Sequence, residues 1–489
     1  MEFKKGHILP TVRIQKIVLE NFKSVAHGEV LFNCGRKVIP QDTESDILGI
    51  YGQNGSGKTA VIEAIAILKS AMSGQPIAER YSDCISIGAE YSKLSFTFDL
   101  QYPPDNRTLT VVYSFKMDNM PNEKRSDFEA LEDIESPELD AILSPFYESK
   151  IRVFDEVISA GGAFVESNHK MQDILTTSGK SYPIGPVRKV SCYVGANKED
   201  LRVDLEVNKR TTAMNSKSFV FSEETMDLFI ANSNYSEYVQ ILMELKLFAS
   251  NYLFVVDTAQ SALGGTQFAI PLFNRRLRLV TMSLVEEAAQ TLSERSFELL
   301  DGVLEGINTV LPALIPGMTI ETVADEILIG KKKAYTVQFY SKRDEKILPL
   351  RSESAGVIRI VSILSLIISA YNERSTTVAI DELDAGVYEF LLGELLSGLE
   401  TYGKGQFVFT SHNLRPLEVL KKENIIFTTT NPDNRYIRLK GVGHSNNLRS
   451  LYLREILGDS QDEKIYDAAK RQRMNAAFMR VGTVYGEKK

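Results

Sequence analysis

The run Gly52-Gln53-Asn54-Gly55-Ser56-Gly57-Lys58-Thr59 has the residue types and spacing to hold a phosphate chain. It fits G-x-x-x-x-G-K-[ST], with an apolar segment ending at Tyr51 before it and a helical pattern after it, the context the motif requires. Glycines let backbone N–H groups turn inward around phosphate oxygens, and the N-terminus of the next helix adds a favourable dipole. Lys58 would reach the β- and γ-phosphates, and the Thr59 hydroxyl would bind Mg²⁺. The plain alternative is a glycine-rich turn with no nucleotide. Val378-Ala379-Ile380-Asp381-Glu382 is an apolar strand ending in two carboxylates, as in a Walker B motif. Asp381 would hold Mg²⁺ through water, and Glu382 would polarise an attacking water as general base. An acidic pair at a helix start is the alternative here.

Two more runs belong with these. Phe407-Val408-Phe409-Thr410-Ser411-His412 ends a second apolar strand in a histidine, placed to contact a γ-phosphate. A lone histidine is more often structural. Arg351-Ser352-Glu353-Ser354-Ala355-Gly356 stands just before an apolar helix containing Arg359. Small residues and glycine at a helix N-terminus make an anion site, although a simple serine cap is the default elsewhere.

These groups need elements to position them. Val12 to Phe22 alternates like a strand, and Gly28 to Asn33 offers a second. Lys58 to Met72 has helical spacing. Tyr91 to Tyr102 and Thr108 to Phe115 read as antiparallel strands joined at Pro103-Pro104-Asp105-Asn106. Asp118 to Glu138 is an acidic, polar connection, and Ile151 to Val220 mixes short strand-like pieces with turns. Helical tracts are expected over about Ser222 to Leu247, capped by Ser222, and over about Asn274 to Leu311. Strands return at Met318 to Ile329 and Ala334 to Tyr340, joined at Gly330 to Lys333. A helix over Gly356 to Tyr371, a strand at Thr377 to Ile380, a helix over Tyr388 to Tyr402, a strand at Gln406 to Thr410 and a short helix near Arg415 to Lys421 follow. Strand alternating with helix reads as a parallel sheet covered by helices.

Composition narrows the classes. Three cysteines (Cys34, Cys84, Cys192) stand far apart, which argues against a disulfide framework or a CxxC zinc site and fits a reducing compartment. The start is too polar for a signal peptide, and the apolar run Ile360 to Ala370 is too short to span a bilayer. A cytoplasmic chain with no membrane partner is the expectation. The net charge of -8 disfavours a uniformly basic nucleic-acid coat but leaves room for a local basic groove. Lys331 to Lys333 reads as a hairpin tip. Arg275, Arg276, Arg278, Arg471 and Arg473 pair with acidic residues as readily as with nucleic acid. His7, His27, His169 and His444 show no ligand spacing.

The four motifs, in this order, resemble an ABC-type ATPase head of the SMC, Rad50 and RecF kind. Ile17-Val18-Leu19-Glu20-Asn21-Phe22-Lys23-Ser24 is similar to the first strand of that class. The resemblance covers about residues 10–116 and 318–445. It implies an α/β fold: a P-loop NTPase head with an antiparallel β subdomain and an inserted helical subdomain. The head would comprise residues 1–116 and 318–445, with an insertion at 117–317 serving as an oligomerisation or partner surface and a helical tail at 446–489. ATP and Mg²⁺ are the implied cofactors. Asn54, Gly55, Ser56, Gly57, Lys58 and Thr59 would bind nucleotide, Thr59 and Asp381 the metal, and Lys58, Glu382 and His412 would serve catalysis. Ser352, Ser354 and Gly356 would touch the γ-phosphate of ATP held by an opposite subunit, so that two heads sandwich two nucleotides. Asp384 is the candidate D-loop aspartate and Gln101 a candidate Q-loop residue.

The tracts DELDAGVYEFLLGELL, GKGQFVFTSHNLRPLEVL and NNLRSLYLREI more closely resemble compact ATPases of bacterial anti-phage and abortive-infection systems, relatives of the overcoming-lysogenisation-defect proteins. That likeness implies a homo-oligomeric ATP-hydrolysing sensor or scaffold controlling a separate effector, such as a nuclease or toxin. A RecF-like repair ATPase that clamps DNA directly is the alternative, with nucleic acid as its partner.

Overall fold

Alternation of apolar and polar residues builds the first layer. β1 (Thr11–Phe22), β2 (Val25–Leu31), β4 (Ser92–Tyr102), β5 (Arg107–Asn119), β6 (Ile151–Ala163) and β7 (Asn168–Thr176) form an antiparallel sheet in the order β2-β1-β4-β5-β6-β7. In β4 every second residue is buried, from Ser92 to Tyr102, so one face enters the core and the other is wetter. The computed structural model describes residues 7–32, 46–103, 107–120, 150–164, 168–179, 182–234, 236–257, 269–274, 277–286, 288–439, 448–457, 462–466 and 471–486. Cys34, Arg275, Arg276, His444, most of the acidic connection and most of the Pro103–Asn106 turn lie outside them.

The second layer is a mostly parallel sheet. β3 (Asp46–Tyr51), β8 (Leu253–Val256), β15 (Thr377–Ile380), β16 (Gln406–Thr410), β17 (Ile425–Thr428) and β18 (Tyr436–Ile437) run in the order β18-β17-β3-β16-β15-β8, with β18 antiparallel at one edge. Every residue of β3, β15, β16 and β17 is buried, as expected where helices cover both faces. α1 (Lys58–Ser73) lies on one face, buried on nearly all sides within the core that includes the antiparallel sheet. α6 (Ala355–Asn372) and α7 (Glu389–Tyr402) cover the other face. α6 is long and apolar enough to cross a membrane, but 61% of it is buried inside this fold.

Residues 117–317 depart from the expected reading of an insertion that is mixed and then helical. β6 and β7 extend the antiparallel sheet, and β8 pairs with β15 in the parallel one. α2 (Asp200–Met214) was not expected, because only Leu205 and Thr212 are buried along it and it shows no apolar stripe. The Ser222–Leu247 tract is two helices, α3 (Glu223–Asn232) and α4 (Glu237–Asn251), with the Ser222 hydroxyl accepting from the Thr225 N–H as its cap role requires. After β9 (Ala269–Asn274), the tract expected as a helix from Asn274 opens instead with β10 (Leu277–Ser283) and β11 (Gln290–Ser293). Only after the Ser293 cap does a helix start, α5 (Glu294–Leu314). β12 (Met318–Ile329) and β13 (Lys332–Arg343) form the expected hairpin, and β11 and β14 (Lys346–Pro349) pair with successive stretches of the other edge of β13. α8 (Leu448–Leu457) and α9 (Arg471–Gly486) close the chain.

Candidate active site

The loop after β3 is shaped by glycine. Gly55 and Gly57 have φ of 75° and 95°, a region costly for any residue with a Cβ. At Gly52, a Cβ would fall 1.7 Å from the Thr428 Oγ1. Gly57 is the N-cap of α1 and places no side chain over the first-turn N–H groups. No acidic residue sits in that turn, so the positive end of the helix is open to an anion. Lys58 Nζ is held at the loop by the carbonyls of Gly52 (2.9 Å) and Gln53 (3.0 Å). Burial lowers its pKa, and Asp381, Glu382 and Asp384 work in the opposite direction.

β15 and β16 bring the carboxylates and the histidine to the same edge. Asp381 is buried, and its Oδ1 accepts from Thr410 Oγ1 at 2.5 Å and from Thr59 Oγ1 at 3.3 Å. Thr410 Oγ1 in turn accepts the Glu382 N–H at 2.8 Å. Glu382 has φ 47°, an unusual state for a non-glycine residue, so the Thr410 contact fixes a strained turn. Arg359, buried in α6, donates from Nη2 to the Asp381 carbonyl at 3.2 Å. The Asp384 carboxylate accepts the N–H groups of His412 (3.2 Å) and Asn413 (3.0 Å) and so fixes the turn that carries the histidine.

Asn54, Gly55, Lys58, Thr59, Asp381, Glu382 and His412 line one open cleft of about 420 Å³. The Thr59 hydroxyl and Asp381 carboxylate are hard oxygen donors, and their spacing suits Mg²⁺, which keeps several waters and shares phosphate oxygens. The residues therefore fit the metal and the triphosphate that the motifs imply.

Other expected residues lie elsewhere. Ser56 is buried, with its hydroxyl engaged by Gln53 O and Thr428 Oγ1, so it braces the loop. Ser354 caps α6, its Oγ accepting the Val357 N–H at 3.4 Å, and Ser352 ends the short turn before it. Gly356 packs on Gly386, where a Cβ would meet the Gly386 carbonyl oxygen at 2.1 Å. None of Ser352, Ser354 and Gly356 lines the cleft. Gln101 pairs with Thr11 and Thr108 within β4, also away from it.

Sequence reasoning passed over the supports. Thr410, Thr428 and Tyr436, whose hydroxyl donates to the Gly57 carbonyl at 2.7 Å, act across hundreds of residues of chain or from another strand. A hydroxyl at the end of a buried strand was the only local signal for the first two.

The AAA domain family model matches residues 16–144. No curated protein matches the chain. Among solved structures, an SMC head bound to the C-winged-helix domain of ScpA is 13% identical, covering 87% of this chain and 97% of that chain, at a TM-score of 0.38. An SMC head domain from Thermotoga maritima is also 13% identical, with 88% and 99% coverage and a TM-score of 0.33. The recombination mediator RecF is 12% identical, with 88% and 99% coverage and a TM-score of 0.36.

Proposed function

We propose that the protein binds and hydrolyses ATP, and that two copies close around two nucleotides. The single observation that carries this reading is the convergence on one cleft of Lys58, Thr59, Asp381, Glu382 and His412. In this scheme the loop N–H groups and Lys58 hold the phosphates, and Thr59 and Asp381 hold Mg²⁺. The metal neutralises charge on the β- and γ-phosphates when bound. Glu382 takes a proton from the attacking water, and His412 contacts the γ-phosphate. Ser352, Ser354 and Gly356 lie outside the cleft of their own chain. That placement supports their use on nucleotide held by a second copy.

Within this reading the chain is the sensor or scaffold subunit of a bacterial phage-defence system, and its nucleotide state controls a separate effector. The support is the likeness of the Asp381–Leu396 and Gly403–Leu420 tracts to compact anti-phage ATPases. Direct DNA clamping in the manner of RecF is the competing reading. ATP turnover by wild type, Lys58→Ala and Glu382→Gln, with and without duplex DNA, tests both. Turnover lost in both variants and indifferent to DNA supports the proposal. ATP-dependent DNA binding that falls steeply with salt supports the competitor. No turnover by the wild type refutes hydrolysis.

A further inference from the structure

A second cleft, of about 390 Å³, lies between α2 and the β6–β7 end of the antiparallel sheet. Its floor is apolar: Val153, Phe154, Pro183, Ala213 and Phe219. Its rim is cationic, from Arg152 on β6 and Arg202, Lys209 and Arg210 on α2. The α2 residues Arg202, Glu206, Lys209, Arg210 and Ala213 follow helical spacing, so one face of the helix supplies this wall. Because α2 buries so little of itself, its sequence is not explained by packing.

The charges do not cancel. Arg152 is paired with Asp118, and Arg202 with Glu206. Glu156 is fully buried and is spent on its own donors: Tyr113 Oη at 2.6 Å, the Ser218 hydroxyl, and the N–H groups of Phe219 (2.7 Å) and Val220 (3.2 Å). Lys209 donates to the Thr177 carbonyl and, among the described residues, neither it nor Arg210 forms an ion pair. In the lining, the four cations Arg152, Arg202, Lys209 and Arg210 meet only two carboxylates, Glu156 and Glu206, so positive charge is in excess beside an apolar floor, in a chain whose net charge is -8. A phosphate monoester carries about -1.5 to -2 charges near neutral pH, opposite in sign to that excess. The volume is within the range of about 300–1,000 Å³ usual for small-ligand sites.

We propose that this cleft is a second ligand site, taking a phosphate monoester with an apolar ring body, of nucleoside monophosphate size. Lys209 and Arg210 hold the phosphate, and the Phe154 and Phe219 floor takes the ring. The site is separate from the phosphate loop and does not depend on the reading of that loop as an ATPase centre.

The test is calorimetric titration of the full chain with AMP and with inorganic phosphate. It uses wild type, Lys58→Ala and the double variant Lys209→Gln/Arg210→Gln, with a melting curve confirming that each variant is folded. Arg210 is exposed, so its change does not disturb the core. The expected result is AMP binding that survives Lys58→Ala and weakens by roughly tenfold or more in the double variant, with phosphate roughly tenfold weaker than AMP. AMP binding lost in Lys58→Ala and kept in the double variant would place the ligand in the phosphate loop and overturn the proposal. So would the absence of AMP binding in wild type and Lys58→Ala alike. Phosphate binding as tight as AMP would overturn the assignment of a ring body.

Discussion

At the scale of single residues, Thr410 is the hinge of the candidate chemistry. Its hydroxyl touches the carboxylate of Asp381, the candidate metal ligand, and the backbone of the candidate base Glu382. Thr410→Val keeps the shape and removes both bonds, each worth about 1–3 kcal/mol when left unmade in a buried site. We expect steady-state turnover to fall roughly 10- to 100-fold with little change in KM, and Thr410→Ser to restore most of it. An unchanged kcat for the valine variant would remove Thr410 from the mechanism. Lys69 makes a different prediction, about stability. Its ammonium lies 5.6 Å from the centre of the Phe254 ring, and burial lowers its pKa to about 8. The unfolded chain holds that proton up to about 10.4. Between these values the unfolded state binds more protons, so stability rises with pH from about 8 upward and the full penalty applies below it. Lys69→Met should therefore raise the melting temperature at pH 7 and flatten the rise above pH 8, both read by thermal scans across pH.

At the scale of elements, the start of α6 is locked to the turn after β15 through two glycines. Gly356 has no room for a Cβ against the Gly386 carbonyl, and Gly386 has φ 74°. Gly356→Ala must push these backbones apart, and we expect a melting temperature several degrees lower together with loss of ATP-driven assembly. Normal melting and normal assembly in that variant would show the contact to be dispensable. The same elements show what a sequence can and cannot disclose. The phosphate loop, β15 with its acidic pair and β16 with its histidine are short contiguous runs, so composition and order sufficed to place them. β8 is four residues, Leu253–Val256, directly after a helix, and periodicity cannot separate so short an apolar run from the helix before it. β10 and β11 fall within the tract that periodicity assigns to helix, since neither a glycine nor a proline marks the return to helix at Ser293, only the serine cap. Thr410 and Thr428 escaped notice because their partners are fixed by tertiary neighbours, not by spacing.

At the scale of the whole molecule, the two sheets and the helices between them put every candidate catalytic group on one edge and leave Ser354 on a separate surface. If a second copy supplies that serine, Ser354→Arg should abolish assembly while a single chain still binds ATP, measured by light scattering alongside nucleotide titration. Assembly that survives Ser354→Arg would take that serine out of the interface. The most direct measurement is the solution mass of wild type and Glu382→Gln, by light scattering, with and without Mg-ATP. Removing the base should trap the closed state, so the account predicts that Mg-ATP at least doubles the mass of Glu382→Gln, stably, and that of wild type only transiently. A Glu382→Gln protein that binds ATP and remains a monomer would contradict it.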